Sequence, residues 1–443
     1  MFTPVGFPTS TIAAAILTLF LSCTCLLYLA RLIAGSSRRY SYRFSQSVRP
    51  VQEKAGAGNS DQPNYEAVFP PSQRQTLTGL DTRFTGIKAI DLSTLPRSSL
   101  VKLQDDYRNA KPTQFIFSGF KIHDIRQLGS FPDYAILSGV PPPAPLKSFN
   151  IEKALPRPYR PFRWPYHQTM SLTKLDPDFW IELESSYRER IAQREKLFAE
   201  HGSNVLAALP GSELACIELM EMVLQFICTR YPNEFRVENG VLVNNILKTR
   251  THLSTTPALE VLLHNVPEDF AIVLRDEETG RYVLRAGMVC SSVGWKLSEK
   301  VGLGLPGIHK YVPDYKEKME FSMDRESQNP KLQPKDINLR VDWQTLRRLP
   351  LSGGVVFNFK ALFTPLSELE NEPYVPSLLL TVLRGGKENL MRYKGTWHVE
   401  HIAKPTLEKY KQFQISSGMI EDNWEPQSLP EQPFFRGWEK KWA

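Results

Sequence analysis

The sequence predicts an α+β fold, in which helices pack on an antiparallel sheet, preceded by one N-terminal transmembrane helix. Paired apolar runs rich in β-branched residues indicate the sheet, and two long stretches with helical spacing indicate the flanking helices. A long apolar run at residues 11–30 indicates the membrane helix. Because 42% of the 443 residues are hydrophobic and 23% are charged, the chain can bury a core.

The N-terminus has the features of a membrane anchor. Residues 1–30 carry no charged side chain, and residues 11–30 are long enough to cross the lipid hydrocarbon as a helix. Basic residues follow the run, beginning with Arg31, which places the C-terminal side in the cytosol. We therefore predict a single-pass protein of the endoplasmic reticulum with a cytosolic C-terminal domain. A cleaved signal peptide is the alternative, although its basic n-region is missing.

Charge and cysteine content narrow the class of protein. The net charge is +7, but no stripe of alternating basic and aromatic residues and no nucleic-acid motif occurs, so no nucleic acid partner is predicted. Proximity to lipid or plain solubility explains the charge better. Three scattered cysteines follow the apolar run, Cys216, Cys228 and Cys290, and they do not form a disulfide framework. They favour a reducing compartment.

The chain is predicted to contain five segments. Residues 35–85 are rich in Ser, Arg, Gln, Pro and Gly and lack an apolar period, which predicts a flexible linker. A short helix is predicted around Ser98–Asn109. The segments are a membrane anchor (1–34), the flexible linker (35–85), an N-terminal extension (86–154), the main domain (155–412) and an irregular C-terminal tail (413–443).

Helical spacing and strand-forming runs predict the elements of the main domain. Asp178 is the expected N-cap of a helix that ends near Glu200, before Gly202. Its apolar face would contain Trp180, Ile181, Leu183, Tyr187 and Ile191. Further helices are expected at about Ser212–Arg230, from Pro257, and near Pro376–Tyr393. The predicted strands are Phe270–Arg275 and Tyr282–Cys290 as one hairpin, Phe235–Asn244 as a weaker hairpin, and Val355–Phe363.

Two motifs resemble functional sites but lack the required context. Gly302-x-Gly304-x-x-Gly307 does not follow a buried strand or open a convincing helix, so we expect a tight turn rather than a dinucleotide loop. His398-Val-Glu-His401 is half of a metal site at most, and an exposed helix start is the better interpretation. No Cys-x-x-Cys pair occurs, which argues against an iron–sulfur cluster in this chain.

Two local features are candidates for chemistry, each with a structural alternative. Glu268 and Asp269 stand at a strand entrance, where paired acids can move protons or orient a cationic amine, although a solvated turn is the commoner explanation. His309 lies between Pro306 and Pro313, where stiff backbone would hold an imidazole in one orientation. A neutral histidine is a common haem ligand, but a lone histidine is more often structural.

Many stretches, in order and spacing, resemble the haem-dependent oxidative N-demethylase family, alpha-subunit type. The resemblance covers roughly residues 155–412. The stretches that carry it are Pro161-Phe162-Arg163, Thr169-Met170, Leu175-Asp176, Trp180-Ile181-Glu182, Val266 to Asp269, Leu284 to Cys290, Gly294-Trp295, Glu299 to Gly302, Ile308-His309, Val312-Pro313, Tyr315, Arg340, Gln344 to Gly353, and Tyr393-Lys394-Gly395.

This resemblance implies a PAS-like antiparallel sheet with flanking helices around a b-type haem. It implies oxygen-dependent removal of a methyl group from a small amine, with electrons from NADPH through a separate flavin and iron–sulfur reductase. His309 becomes the expected axial ligand of the haem iron, and Glu268 a candidate catalytic residue that positions the amine. The expectation is therefore a membrane-anchored haem-dependent oxidoreductase, in contact with membrane lipid through residues 11–30.

The chain departs from the family pattern between Arg325 and Arg340. The resemblance implies a further segment with an Arg-x-x-Trp-like motif here, and that segment is missing. Loss of activity and an error in the gene model are alternative explanations. Two other functions consequently stay open, a non-catalytic haem or gas-sensing PAS-like module and a degenerate haem-free scaffold.

Overall fold

The structure, a computed structural model, describes most of the chain after residue 115. The described residues are 116, 118–166, 173–276, 280–291, 296–310, 328–329 and 331–441. The predicted anchor, the linker and the helix at Ser98–Asn109 lie outside them. Over these ranges, no helix combines the length and apolar character needed to span a membrane.

Antiparallel strands form two sheets. In chain order the strands are β1 (Leu206–Ala208), β2 (Phe235–Glu238), β3 (Val241–Asn244), β4 (Thr249–His252), β5 (Asp269–Arg275), β6 (Tyr282–Met288), β7 (Asn338–Arg348) and β8 (Val355–Pro365). The main sheet has the order β1-β6-β5-β8-β7, and β2, β3 and β4 form a small second sheet. The predicted hairpins and the predicted β8 are confirmed, whereas β1, β4 and β7 were not predicted.

Helices surround the main sheet. In chain order they are α1 (Ile122–Leu128), α2 (Tyr134–Ser138), α3 (Tyr187–His201), α4 (Glu213–Arg230), α5 (Ala258–Leu263), α6 (Leu305–Ile308), α7 (Val375–Gly385), α8 (Glu388–Lys394) and α9 (Trp397–Ser416). The predicted α4 and α5 are confirmed. The mixed α+β architecture, with antiparallel sheets and flanking helices, is as expected.

Two predicted helices differ from the observed ones. The expected helix from Asp178 begins instead at Tyr187, because residues 180–184 form an irregular segment whose Trp180 and Glu182 carbonyls accept hydrogen bonds from the side chains of Asn358 and Lys360 of β8. Asp178 itself accepts hydrogen bonds from the Ala144 amide and the Arg230 guanidinium. The helix expected near Pro376–Tyr393 is two helices, α7 and α8, separated at Gly386, whose amide closes the last turn of α7.

The main sheet has two faces, which are defined by strand alternation. The inner face packs against the helices in the largest hydrophobic core, through Phe270, Ile272, Ala286, Met288 and Val356. The outer face carries a smaller apolar cluster, formed by Ala271, Val273, Leu284, Phe357 and Phe359 together with Leu297, Leu305 and Ile308. The short helix α6 therefore lies against the outer face.

The C-terminal tail is irregular but packed. Phe435 is 2% exposed and belongs to a core that α7 and α9 share. The Pro433 carbonyl accepts the Arg160 amide, and the Ser428 hydroxyl accepts the Trp164 amide. Residues 160–164 and the tail are thereby joined directly.

Candidate functional site

The glycine-rich loop before His309 is a turn that runs beside β6. The Gly302 amide donates to the Leu284 carbonyl, and the Leu284 amide donates to Leu303. Gly302 has a φ of 91°, which a residue without Cβ adopts easily. The expected tight turn is confirmed. The one-turn helix α6 that follows was not expected, and it is too short to form a dinucleotide-binding loop.

His309 follows α6 directly and is half-buried. Its Nδ1 lies 2.8 Å from the Leu305 carbonyl oxygen, and its backbone amide donates to the same oxygen at 3.1 Å. A carbonyl only accepts, so Nδ1 donates its proton in this hydrogen bond. This second hydrogen bond is the arrangement that orients a metal-binding imidazole.

The outer face beside α6 is apolar. Phe357 and Phe359 are half-buried, and their rings lie nearly parallel with centroids 6.3 Å apart. Leu346 is 39% exposed and Phe363 52% exposed on the same face. Large apolar side chains that remain partly exposed on one sheet face mark a surface suited to a flat, apolar group.

Glu268 is a deeply buried carboxyl at the entrance to β5, with 1% of its surface exposed. Its Oε1 accepts the Glu182 amide at 3.2 Å, and its Oε2 has no hydrogen-bond partner among the described residues. Burial raises the pKa of Glu268 to about 7, against the opposing charges of Lys360 and Arg194. The carboxyl can therefore exchange a proton near neutral pH.

Asp269, the second acid of the pair, has a structural role. Its carboxylate binds the buried Arg194 guanidinium at 2.6 Å and accepts the amides of Cys290 and Ser291 at 2.9 and 2.8 Å. These bonds hold the start of β5 to the end of β6. Neither acid lies in a solvated turn, since both are 1% exposed.

The structure does not bring the two predicted site residues together. Glu268 binds Glu182, whose carbonyl accepts a 2.6 Å hydrogen bond from the inner-face Lys360. His309 instead follows α6, which packs on the outer face. Glu268 and His309 are therefore associated with opposite faces of the main sheet.

A group of inner-face residues was missed by the sequence analysis. Trp343, Thr345 and Arg347 alternate along β7, and the Trp180 ring lies against Arg347. Trp343 Nε1, Thr345 Oγ1, Arg347 Nε and Trp180 Nε1 are buried without a hydrogen-bond partner in the described part of the chain. We call these four residues the polar strip. The alternation of polar and apolar residues from 338 to 348 was the available signal.

The histidine pair at 398 and 401 begins α9, as expected. His398 Nδ1 lies 2.6 Å from the Gly395 carbonyl, and His401 Nε2 lies 2.9 Å from the Asn329 carbonyl. Glu400 binds Lys404 at 2.6 Å. No group of three or more His, Cys, Asp or Glu side chains that could hold a metal ion occurs within the described ranges.

We expect two buried glutamates to make folding stability depend on pH. Burial raises the pKa of Glu218 and of Glu268 to about 7, from 4.5. Between these two pH values the folded state keeps protons that the unfolded chain releases. The contribution of the two glutamates to the free energy of unfolding is therefore greatest below pH 4.5, and it is lost as the pH rises through 7. In Glu268→Gln, the decrease in the free energy of unfolding from low to high pH should be smaller than in the wild type by about 3 kcal/mol.

The measurement is the free energy of unfolding in guanidinium chloride, taken at about pH 5 and about pH 8. The matched control is Glu368→Gln, because Glu368 is exposed. Its pH dependence should equal that of the wild type. An unchanged dependence in Glu268→Gln would show that burial does not raise the pKa of this carboxyl.

Comparison with known protein families confirms the resemblance. The family model described as haem-dependent oxidative N-demethylase, alpha subunit-like, matches residues 171–329 and 325–404. The match covers more than half of the chain and includes Glu268, His309 and the polar strip. Its two segments overlap at residues 325–329, at the start of the stretch in which the resemblance implied a further segment. The chain therefore belongs to the haem-dependent oxidative N-demethylase, alpha subunit-like family.

Proposed function

We propose that this protein is a haem-dependent oxidoreductase that oxidises a small amine with oxygen, in a reaction of the N-demethylation type. Family membership supports the reaction class. The observation that carries the proposal is His309, whose Nδ1–H is held by the Leu305 carbonyl beside an apolar sheet face. Electrons would come from NADPH through a separate flavin and iron–sulfur partner, since the sequence contains no Cys-x-x-Cys pair.

The residues around His309 fit a b-type haem. Such a haem needs a neutral imidazole nitrogen as axial ligand and apolar walls for the porphyrin. His309 Nε2 would be the iron ligand, and Phe357 and Phe359 would line the porphyrin on the outer face. The five-stranded antiparallel main sheet, with α6 against that face, supports the PAS-like fold that the resemblance implies.

The bound haem would supply the oxygen chemistry, and the chain would supply orientation and electrostatics. The Leu305 carbonyl orients the His309 ring through its hydrogen bond with Nδ1. Phe357 and Phe359 keep water from the outer face beside α6. Glu268 remains a candidate for holding a proton, on the strength of its pKa near 7, although it acts from the inner side of the sheet.

We also propose that the protein is anchored in the endoplasmic reticulum membrane, with the described domain in the cytosol. The support is the uncharged run at residues 11–30 and the basic residues that follow it. Lipid would then contact residues 11–30, and the electron donor would have to reach the cytosolic surface.

A haem or gas sensor is the second candidate function. The separation of Glu268 from the face on which α6 packs favours it, because a sensor needs no proton donor beside its ligand. Oxygen uptake that depends on both amine and reductant would indicate the enzyme. Binding of CO or oxygen without turnover would indicate the sensor.

The decisive test is the absorption spectrum of the full chain after reconstitution with haem. We expect a Soret band in the wild type, and in His309→Ala an affinity for haem at least about tenfold weaker, because the axial ligand is gone. The matched control is His252→Ala, since His252 is exposed on β4, away from the main sheet. It should bind haem like the wild type.

Two results would contradict the proposal. A full chain that stays colourless after reconstitution would indicate a haem-free scaffold. A His309→Ala variant with an unchanged Soret band and unchanged affinity would show that another residue binds the iron.

A further inference from the structure

The polar strip is a row of buried donors without acceptors. Thr345 is 8% exposed and Trp180 4% exposed, so water does not reach these side chains freely. The Arg347 guanidinium lies 4.1 Å from the centre of the Trp180 ring, so Trp180 lies at the Arg347 end of the row. Burying a polar group without a partner is unfavourable, so several such groups in one place call for a bound partner.

Arg347 adds a positive charge that the described chain does not neutralise. No carboxylate among the described residues forms an ion pair with it. Burial lowers its pKa to about 10, with no acidic neighbour opposing that shift. A partly buried cation without a counter-ion is unfavourable, so an anion near Arg347 would stabilise the fold.

The charged side chains next to the polar strip already have partners within the chain. Lys360, directly opposite Trp343 across β7 and β8, donates to the Glu182 carbonyl at 2.6 Å and lies 4.0 Å from Glu184. Glu268 lies beside Lys360 on the inner face, separated from the polar strip by β8. Arg347 is therefore the cation of this region that an anion could neutralise.

We propose that the polar strip is a binding site for the oxyanion group of a small molecule, a carboxylate or a phosphate. Arg347 supplies the charge, and the Thr345 hydroxyl and the Trp180 indole N–H donate hydrogen bonds that orient the oxygens. Arg347 is only partly buried, so its outer nitrogens open the site to solvent. This site is distinct from the proposed haem site, which lies on the outer face.

The test is isothermal titration of the full chain with sodium phosphate and, separately, with sodium acetate, at constant ionic strength. We expect saturable binding of at least one of the two. Saturation by acetate indicates a carboxylate ligand, and saturation by phosphate indicates a phosphate ligand. Arg347→Gln and Thr345→Val should each weaken binding, Arg347→Gln by about tenfold or more, because it removes a charged donor.

The matched control is Arg348→Gln, which removes the same charge from the next, exposed residue on the outer face. Its affinity should stay within about twofold of the wild type, since a distant exposed charge is screened. His309→Ala should bind the anion normally, which separates this site from the haem site. The proposal fails if neither probe saturates, or if Arg348→Gln weakens binding as much as Arg347→Gln. The proposal also fails if Thr345→Val loses both anion binding and stability, because Thr345 would then have a structural role.

Discussion

Replacing Asp269 with asparagine is expected to lower the free energy of unfolding by about 3–5 kcal/mol. Asp269 neutralises Arg194, and the two side chains are 1% and 5% exposed. Asparagine would leave the guanidinium charge buried without its counter-ion, which costs more than the pair itself contributes. It would also weaken the bonds to the Cys290 and Ser291 amides that fix the end of β6.

The measurement is equilibrium unfolding in guanidinium chloride followed by tryptophan fluorescence. Asp342→Asn is the matched control, because Asp342 forms an ion pair with Arg340 on the same sheet but is 44% exposed. Exposed pairs contribute about 0–1 kcal/mol, so this control should stay close to the wild type. Equal losses in the two variants would mean that the contribution of the Arg194–Asp269 pair to the free energy of unfolding does not depend on its burial.

Local patterns predicted burial better than they predicted secondary structure around residue 180. All five residues expected on the first helix face are buried, namely Trp180, Ile181, Leu183, Tyr187 and Ile191. However, the segment 180–184 is irregular, and its Trp180 and Glu182 carbonyls accept hydrogen bonds from Asn358 and Lys360 of β8. These partners lie far away in sequence, so neither the cap at Asp178 nor the apolar spacing could reveal them.

The strand β7 shows the opposite case, in which a local signal was present. Its residues alternate, with Val341 and Thr345 buried and Asp342 and Gln344 exposed. This period of two is typical of a strand with one buried face. The polar residues on the buried side obscured the pattern, and the same residues form the polar strip.

Sequence reasoning named Glu268 and His309 but could not place them relative to each other. Alternation along β5 assigns Glu268 to the side of Phe270, and therefore to the inner face. Which face α6 contacts depends on how the chain returns after β6, which no local spacing determines. The packing of Ile308 against the outer-face cluster of Ala271, Val273 and Leu284 supplies that information.

Replacing Glu372 with glutamine is expected to have a comparably large effect, about 3–5 kcal/mol. Arg160 and Glu372 form a bidentate pair with distances of 2.6 and 2.8 Å, and their side chains are 3% and 0% exposed. Glutamine would leave the Arg160 charge in the core without compensation. Without the ion pair, residues 160–164 would be held less firmly against the C-terminal tail and the core that α7 and α9 share.

Limited proteolysis of Glu372→Gln should therefore cut the C-terminal tail faster than in the wild type, since the pair holds the segment that the tail packs on. Glu388→Gln is the matched control, because its pair with Arg392 is exposed and should contribute about 0.5 kcal/mol or less. The double variant Arg160→Met with Glu372→Met separates charge from packing. If the unpaired charge causes the loss, the double variant recovers most of the stability, because a well-packed apolar pair can replace a buried ion pair. If it is as unstable as the single variant, the planar bidentate geometry of the pair, and not the neutralisation of charge, stabilises the contacts of residues 160–164 with the C-terminal tail.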